Sequence, residues 1–140
     1  MERKCLTVEK REYVFLKRML SISGYTEDQD VLQSLKILES GLATAVVLDE
    51  KDMPPSIIRL NSLVSIASDN NWERNVQLVI PSERDCKQNK ISILTPMGAA
   101  IFGHSEGDAV KWEYLLGGHK LFIKKVLQKG IKKGLDLSIY

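Results

Sequence analysis

Histidine, cysteine, serine and carboxylate side chains do most nucleophilic, acid–base and metal chemistry, and this 140-residue chain sets few of them at a useful spacing. His104 and His119 are its two histidines, and each sits beside a glycine turn, where a structural role is expected. Ser105 lies between Gly103 and Gly107, but the strand and buried helix that form a nucleophile elbow are missing around it. Cys5 and Cys86 stand far apart without partners at metal-ligand spacing, so neither a disulfide framework nor a zinc site is expected. The pair Gly117-Gly118 lacks the helix that a phosphate site requires. Glu27, Asp28 and Asp30 do cluster, at the predicted start of a helix, where first-turn carboxylates meet free amides and the positive end of the dipole. No enzyme and no cofactor are expected from these residues.

Composition agrees with one modest core plus an appendage. Hydrophobic residues make up 44% and charged residues 27%, which are ordinary globular values. No apolar run approaches the roughly 18 residues of a membrane span, and MERKCLTVEKR lacks the apolar centre of a signal peptide, so a cytoplasmic location without membrane contact is expected. The net charge of +2 is unevenly placed. Residues 1–53 hold 8 Lys/Arg and 10 Asp/Glu, whereas residues 54–140 hold 12 and 8, a division that suits an interaction protein with two faces. It is too small to argue for direct sequence-specific binding of nucleic acid.

The elements that would position these groups begin with two amphipathic helices. Thr7 is a predicted N-cap for a helix over 8–20, with apolar rows at 8, 15, 19, 22 and at 13, 16, 20, and with Lys10, Arg11, Lys17 and Arg18 on the solvated face. After Ser23-Gly24-Tyr25, Thr26 to Gln29 reads as a capping box, and Val31, Leu35, Leu38 and Leu42 form one stripe of a second helix. Joined by about five residues, the two should fold back as an antiparallel hairpin. Each arm has about 14 to 16 residues, so the hairpin extends only about 20–25 Å at the helical rise.

Residues 45–48 read as extended, and Met53-Pro54-Pro55 ends any helix. Strands follow from Leu63 and over Trp72 to Pro81, with a turn at Ser68-Asp69-Asn70-Asn71. Lys90 to Leu94 extends into Thr95-Pro96, where Thr95 caps and Pro96 opens a short helix to Ile101. Gly107-Asp108 turns the chain into a strand over Ala109 to Tyr114, Gly117-Gly118 suits a hairpin turn, and Lys120 to Leu127 returns. In the tail, Ile131, Leu135, Leu137 and Ile139 could pack on the sheet or on a partner.

The order Ser92-Ile93-Leu94-Thr95-Pro96-Met97-Gly98-Ala99-Ala100, then Gly107-Asp108, Trp112-Glu113 and Gly117-Gly118, resembles the C-terminal domain of the GreA/GreB transcript-cleavage factors, and best their short, Rnk-like form. Residues 53–62, MPPSIIRLNS, are similar to the hinge of the same proteins. The resemblance implies an α+β fold with three parts. A short antiparallel helical hairpin occupies 1–52, an FKBP-like twisted antiparallel sheet with one short helix occupies 53–127, and a tail occupies 128–140.

It also implies a function. Gre-type factors reach through the secondary channel of RNA polymerase with a long coiled coil whose acidic tip helps hold a metal ion, a role here matched in position by Glu27, Asp28 and Asp30. Carboxylate oxygens suit magnesium. The arm is roughly half as long as theirs by the helical rise, so the resemblance points to the Rnk-like case, docking on polymerase without cleavage. The docking turn, commonly Asp-Ser-Pro, falls on Leu94, Thr95 and Pro96, followed by Met97, with Leu94 departing from the acid. The alternative partner is another cytoplasmic protein such as a nucleoside diphosphate kinase. FKBP-like folds also include prolyl isomerases, but the candidates Trp72, Phe102, Trp112, Tyr114 and Phe122 read mainly as core or sheet-face residues.

Overall fold

A computed structural model describes residues 5–23, 26–114 and 117–128, with backbone alone over 112–114 and 117–119. The chain opens with a strand, β1 (Thr7–Glu9), that runs directly into α1 (Lys10–Ile22). Thr7 is therefore not the predicted cap. Thr7 and Val8 pair in parallel with Val46 and Val47 of β2 (Val46–Leu48), and the Thr7 amide donates to the Gly103 carbonyl at 3.2 Å. Four β-branched residues favour that extended pairing over a helical start. Glu9 caps α1 instead, its carboxylate accepting from the Arg11 amide at 2.7 Å.

The second helix, α2 (Gln29–Ala43), is capped by Asp28, not by a box between Thr26 and Gln29. The Asp28 carboxylate accepts from the amides of Asp30 at 2.9 Å and Val31 at 3.3 Å, while the Thr26 hydroxyl accepts from the Asp28 amide at 3.1 Å. A charged acceptor makes the stronger bond, which explains why Asp28 takes the cap. The break at Gly24-Tyr25 lies outside the described residues. Leu35, Leu38 and Leu42 are buried as the stripe predicts, but they face more than the first helix. α2 touches α1 and lies chiefly against α3 (Pro96–Ile101), so the arm leans on the sheet domain.

Five strands make the main sheet, in the order β5-β4-β3-β7-β6: β3 (Leu63–Ser68), β4 (Glu73–Val79), β5 (Lys90–Ser92), β6 (Ala109–Tyr114) and β7 (Gly117–Leu127). Every neighbouring pair is antiparallel except β4 and β5, which run parallel. Between them the chain makes two 3-10 turns, Pro81–Glu83 and Cys86–Gln88, and a left-handed residue at Asn89, which together return it to Gln77, so that β5 pairs with the last three residues of β4. Asn71, at φ 67°, closes the β3–β4 hairpin in the left-handed region that asparagine tolerates.

Gly117 and Gly118 are strand residues and not the turn. They pair with Tyr114 and Glu113, so the connection falls on 115–116, outside the described residues. The tail residues Ile131, Leu135, Leu137 and Ile139 also lie outside them. Along β3 exposure alternates strictly, with Val64, Ile66 and Ser68 buried, so one sheet face carries the core. Leu6, Phe15, Leu16, Met19, Leu38 and Leu42 join Ile58, Ile93, Ile101, Phe102 and the inner sheet residues in a single cluster. Burying each of the large members contributes about 1.5–3 kcal/mol.

Candidate functional site

The turn into α3 is built from its backbone outward. Thr95 donates its hydroxyl hydrogen to the Ser92 carbonyl at 2.7 Å and accepts from the Gly98 amide at 3.1 Å, so one side chain fixes both sides of the turn. Pro96 stands at the first helical position as the sequence predicts. Helix α3 is buried along its whole length, including Pro96 and Met97, while Leu94 and Thr95 remain half-exposed. Of the four residues proposed for docking, only Leu94 and Thr95 thus offer side-chain surface. Ser62 and Gln128 brace the hinge: the Gln128 amide donates to the Ile57 and Pro55 carbonyls at 2.6 and 3.0 Å, and its oxygen accepts from Ser62 Oγ at 2.7 Å.

At the hairpin tip Glu27, Asp28 and Asp30 are all exposed. Asp28 is committed to its own helix amides. Among the described residues no group of His, Cys, Asp or Glu is arranged to hold a metal ion, so the three acids do not fit a metal site on their own.

A second cluster, not foreseen from the sequence, joins the root of the hairpin to the hinge. Arg59 is 4% exposed and sits between carboxylates of three elements. Its Nε and Nη2 donate to Glu12 Oε2 at 3.0 and 2.8 Å, and its Nη1 donates to Glu50 Oε2 at 2.6 Å. The other Glu12 oxygen accepts from the Leu60 amide at 3.1 Å, and Arg11, expected to be solvated, donates to Glu50 at 3.0 Å. Glu9 Oε1 is buried without a hydrogen bond, 3.7 Å from Arg59 Nη2.

Three carboxylates thus face two guanidinium groups. Burial pushes Glu12 up from its ordinary value, against the pull of Arg59 and the Leu60 amide. The hydrogen bond from Arg59 holds Glu50 below its ordinary value. Burial alone would lower the proton affinity of Arg59, but its bonds to Glu50 and Glu12 outweigh that and raise it. The signals were present in the sequence. Glu12 falls inside the apolar stripe at 8, 12, 15, 16 and 19, and Arg59 interrupts the apolar run Ile57-Ile58-Arg59-Leu60.

The two shifts act in opposite pH windows. Because the folded Glu50 titrates below the unfolded value, its contribution is present above the ordinary carboxylate range and lost as pH falls through the folded value. Glu12, raised, contributes below that range, and its share is lost as pH rises through its folded value. Glu50 is 40% exposed, so solvent limits its pairing. Glu50→Gln is therefore expected to cost about 1 kcal/mol or less at pH 7. In urea unfolding the difference from the parent chain should shrink as pH falls below the ordinary carboxylate range, and a difference that grows with acid would contradict the assignment.

The remaining candidates do not assemble. His104 Nδ1 lies 3.6 Å from Asp108 Oδ2, and Asp108 accepts from the Ser105 amide at 2.8 Å, so both serve the Gly107 turn. Cys5 and Cys86 are exposed. An open groove of about 290 Å³ is lined by Phe15, Arg18, Met19, Ser21 and Ile22, none of which supplies a carboxylate, histidine or thiol. Phe102 is inside the core and Phe122 is exposed, so these two aromatics share no pocket. The side chains of Trp112, Tyr114 and His119 lie outside the described residues. No helix among the described residues is long and apolar enough to cross a membrane.

The family model for "Transcription elongation factor, GreA/GreB, C-term" matches residues 53–128, more than half of the chain. The chain belongs to the GreA/GreB family. Transcription elongation factor GreA of Hyphomonas neptunium is 33% identical over 123 residues, covering 86% of this chain and 78% of that protein. The regulator of nucleoside diphosphate kinase of Escherichia coli K12 is 32% identical over 82 residues, covering 58% of this chain and 60% of its own length. Among solved structures, a GreA/GreB elongation factor from Nitrosomonas europaea superimposes with a TM-score of 0.69 at 27% identity, over 89% of this chain and 99% of that one. The names of these relatives describe regulatory factors and not catalysts. GreA/GreB membership and the α+β fold of hairpin and sheet are thus as the sequence led one to expect.

Proposed function

We propose that this chain is a non-enzymatic regulator that binds RNA polymerase near its secondary channel and modulates elongation without stimulating transcript cleavage. The observation that carries the reading is the length of the arm on a GreA/GreB domain. α1 has 13 residues and α2 has 15. At the helical rise these span about 20 and 22 Å, too short to carry the tip to a catalytic centre from the family's docking position. The commitment of Asp28 to helix capping supports the same reading. In this view the hairpin occupies the channel entrance, and Leu94 and Thr95 meet the polymerase.

Titration of the labelled chain with core RNA polymerase should give saturable binding in the micromolar range or tighter, and backtracked complexes should show no added transcript cleavage. Absence of binding, or cleavage rising with protein concentration, would remove the proposal. Leu94→Asp restores the acid of the family turn, and it is expected to tighten binding roughly fivefold if that turn carries the contact. Unchanged affinity in a folded variant would place the contact elsewhere. The E. coli relative favours one second reading, regulation of a nucleoside diphosphate kinase. A pull-down that recovers such a kinase and no polymerase would establish it.

A further inference from the structure

The sheet face opposite the core has a composition that neither the hairpin nor the α3 turn explains. Over its length, Gly117–Leu127, β7 has three lysines and no acidic residue. On β7, Lys120, Lys124 and Lys125 are exposed, and between them Phe122 is 39% exposed. The register places Phe122 beside Ala67 of β3 on one side and Ala109 of β6 on the other. Neither alanine is large enough to cover the ring, so its face is left open on the sheet.

Lys124 falls where the β3–β7 register shifts, and the shift adds Lys125 to a face on which regular alternation would present only Lys120 and Lys124 with Phe122. The row from Lys120 to Lys125 covers about 16 Å of strand. Ser65 lies opposite both Lys125 and Asn75, and its hydroxyl donates to Asn75 Oδ1 at 2.7 Å, which sets polar groups next to the cations. We infer that this face binds single-stranded RNA, with Phe122 stacking a base, Lys120, Lys124 and Lys125 meeting phosphates, and Ser65 and Asn75 near the sugar. Cations alone would suit any polyanion. The uncovered ring between them favours bases over an acidic polypeptide, because stacking on an aromatic side chain is a sequence-tolerant attraction that a carboxylate does not make. Hydroxyl and amide groups alongside favour the 2′-hydroxyl of RNA. The commitment to RNA also draws on the proposed role at an elongating polymerase, where a single-stranded transcript is at hand, but the face itself is tested without polymerase.

Fluorescence anisotropy of the full chain with an oligouridylate of about twelve nucleotides is the test, a length within the range of single-strand site sizes. Binding should weaken as salt rises, and the double variant Lys124→Gln/Lys125→Gln should reduce the logarithmic salt slope by roughly 1.4, about 0.7 for each phosphate that is no longer neutralised. Phe122→Ala should weaken binding about fivefold or more through loss of stacking while leaving the salt slope unchanged. All three residues are exposed, so melting temperatures should match the parent chain. The inference is overturned by no binding at low salt, by binding that both variants leave intact, by equal or tighter binding of oligothymidylate, or by tighter binding of polyglutamate. Loss of RNA binding with polymerase binding retained would separate this face from the proposed docking turn.

Discussion

Replacing Arg59 by methionine is expected to destabilise the protein by about 3–5 kcal/mol, the cost of stranding a buried charge by removing its partner. Glu12 is 2% exposed and receives two hydrogen bonds from this guanidinium, and Glu9, also 2% exposed, has Arg59 as a near cation. Without Arg59 both carboxylates would have to protonate or reach water, and either route opens the joint between α1 and the hinge. The loss corresponds to about 10 °C or more in melting temperature for a chain of this size. Lysine should not restore it, because one ammonium cannot serve Glu12 and Glu50 with the three nitrogens that Arg59 directs at them. Adding Glu12→Leu to Arg59→Met should recover part of the stability, since an apolar pair often substitutes for a buried ionic one. Thermal and urea denaturation of the three variants measures this. A loss below about 1 kcal/mol for Arg59→Met would show the cluster to be solvated in solution, as surface pairs are.

Gly98→Ala should also destabilise, although helix propensity alone argues the reverse. In an exposed helix the change gains about 1 kcal/mol. Here a Cβ at position 98 would meet the Ser92 carbonyl oxygen well inside contact distance, with Thr95 Oγ1 at 2.9 Å and Leu78 Cδ1 at 3.1 Å. The carbonyl is backbone and already accepts from the Thr95 hydroxyl and amide, so it has little room to withdraw. Overpacking of about 1–3 kcal/mol and loss of the Thr95 cap at about 1 kcal/mol outweigh the propensity gain, leaving a net cost of roughly 1–3 kcal/mol. Because the strain falls on Thr95, polymerase affinity should drop with stability. Urea unfolding paired with the polymerase titration tests both, and a stabilised Gly98→Ala would refute the close packing of α3 on the Ser92 turn.

These two sites divide cleanly by how they could be read. The α3 start was legible from two adjacent residues, because Thr95 as cap and Pro96 at the first position are local chemistry that a sequence displays directly. The second helix was legible for the same reason, since Leu35, Leu38 and Leu42 repeat at its period. Arg59 and Glu12 are 47 residues apart, and their pairing depends on how the hinge crosses α1. Only their apolar settings hinted at burial. β1 was missed because a three-residue strand has no period to show, and Thr7-Val8 looked equally suited to open a helix until Val46-Val47 and Gly103 were placed beside it. The parallel entry of β5 was hidden in a polar loop whose reversal depends on Asn89 adopting φ 55°.

The way the hairpin is anchored has a mechanical consequence. Leu6 packs against Gly41 of α2 and Gly103 beyond α3, β1 is tied to Gly103, and Glu12 is clasped by Arg59. These attachments lie at the root of the arm and differ in kind, so a bending load is shared among packing, backbone bonds and ions. For an arm of about 20 Å, a tilt of about 5° displaces the end by only about 2 Å. A lever this short on so broad a mount has little throw. If the chain docks as proposed, the position of α1 and α2 on the partner follows from where the sheet domain seats and not from swinging at the hinge.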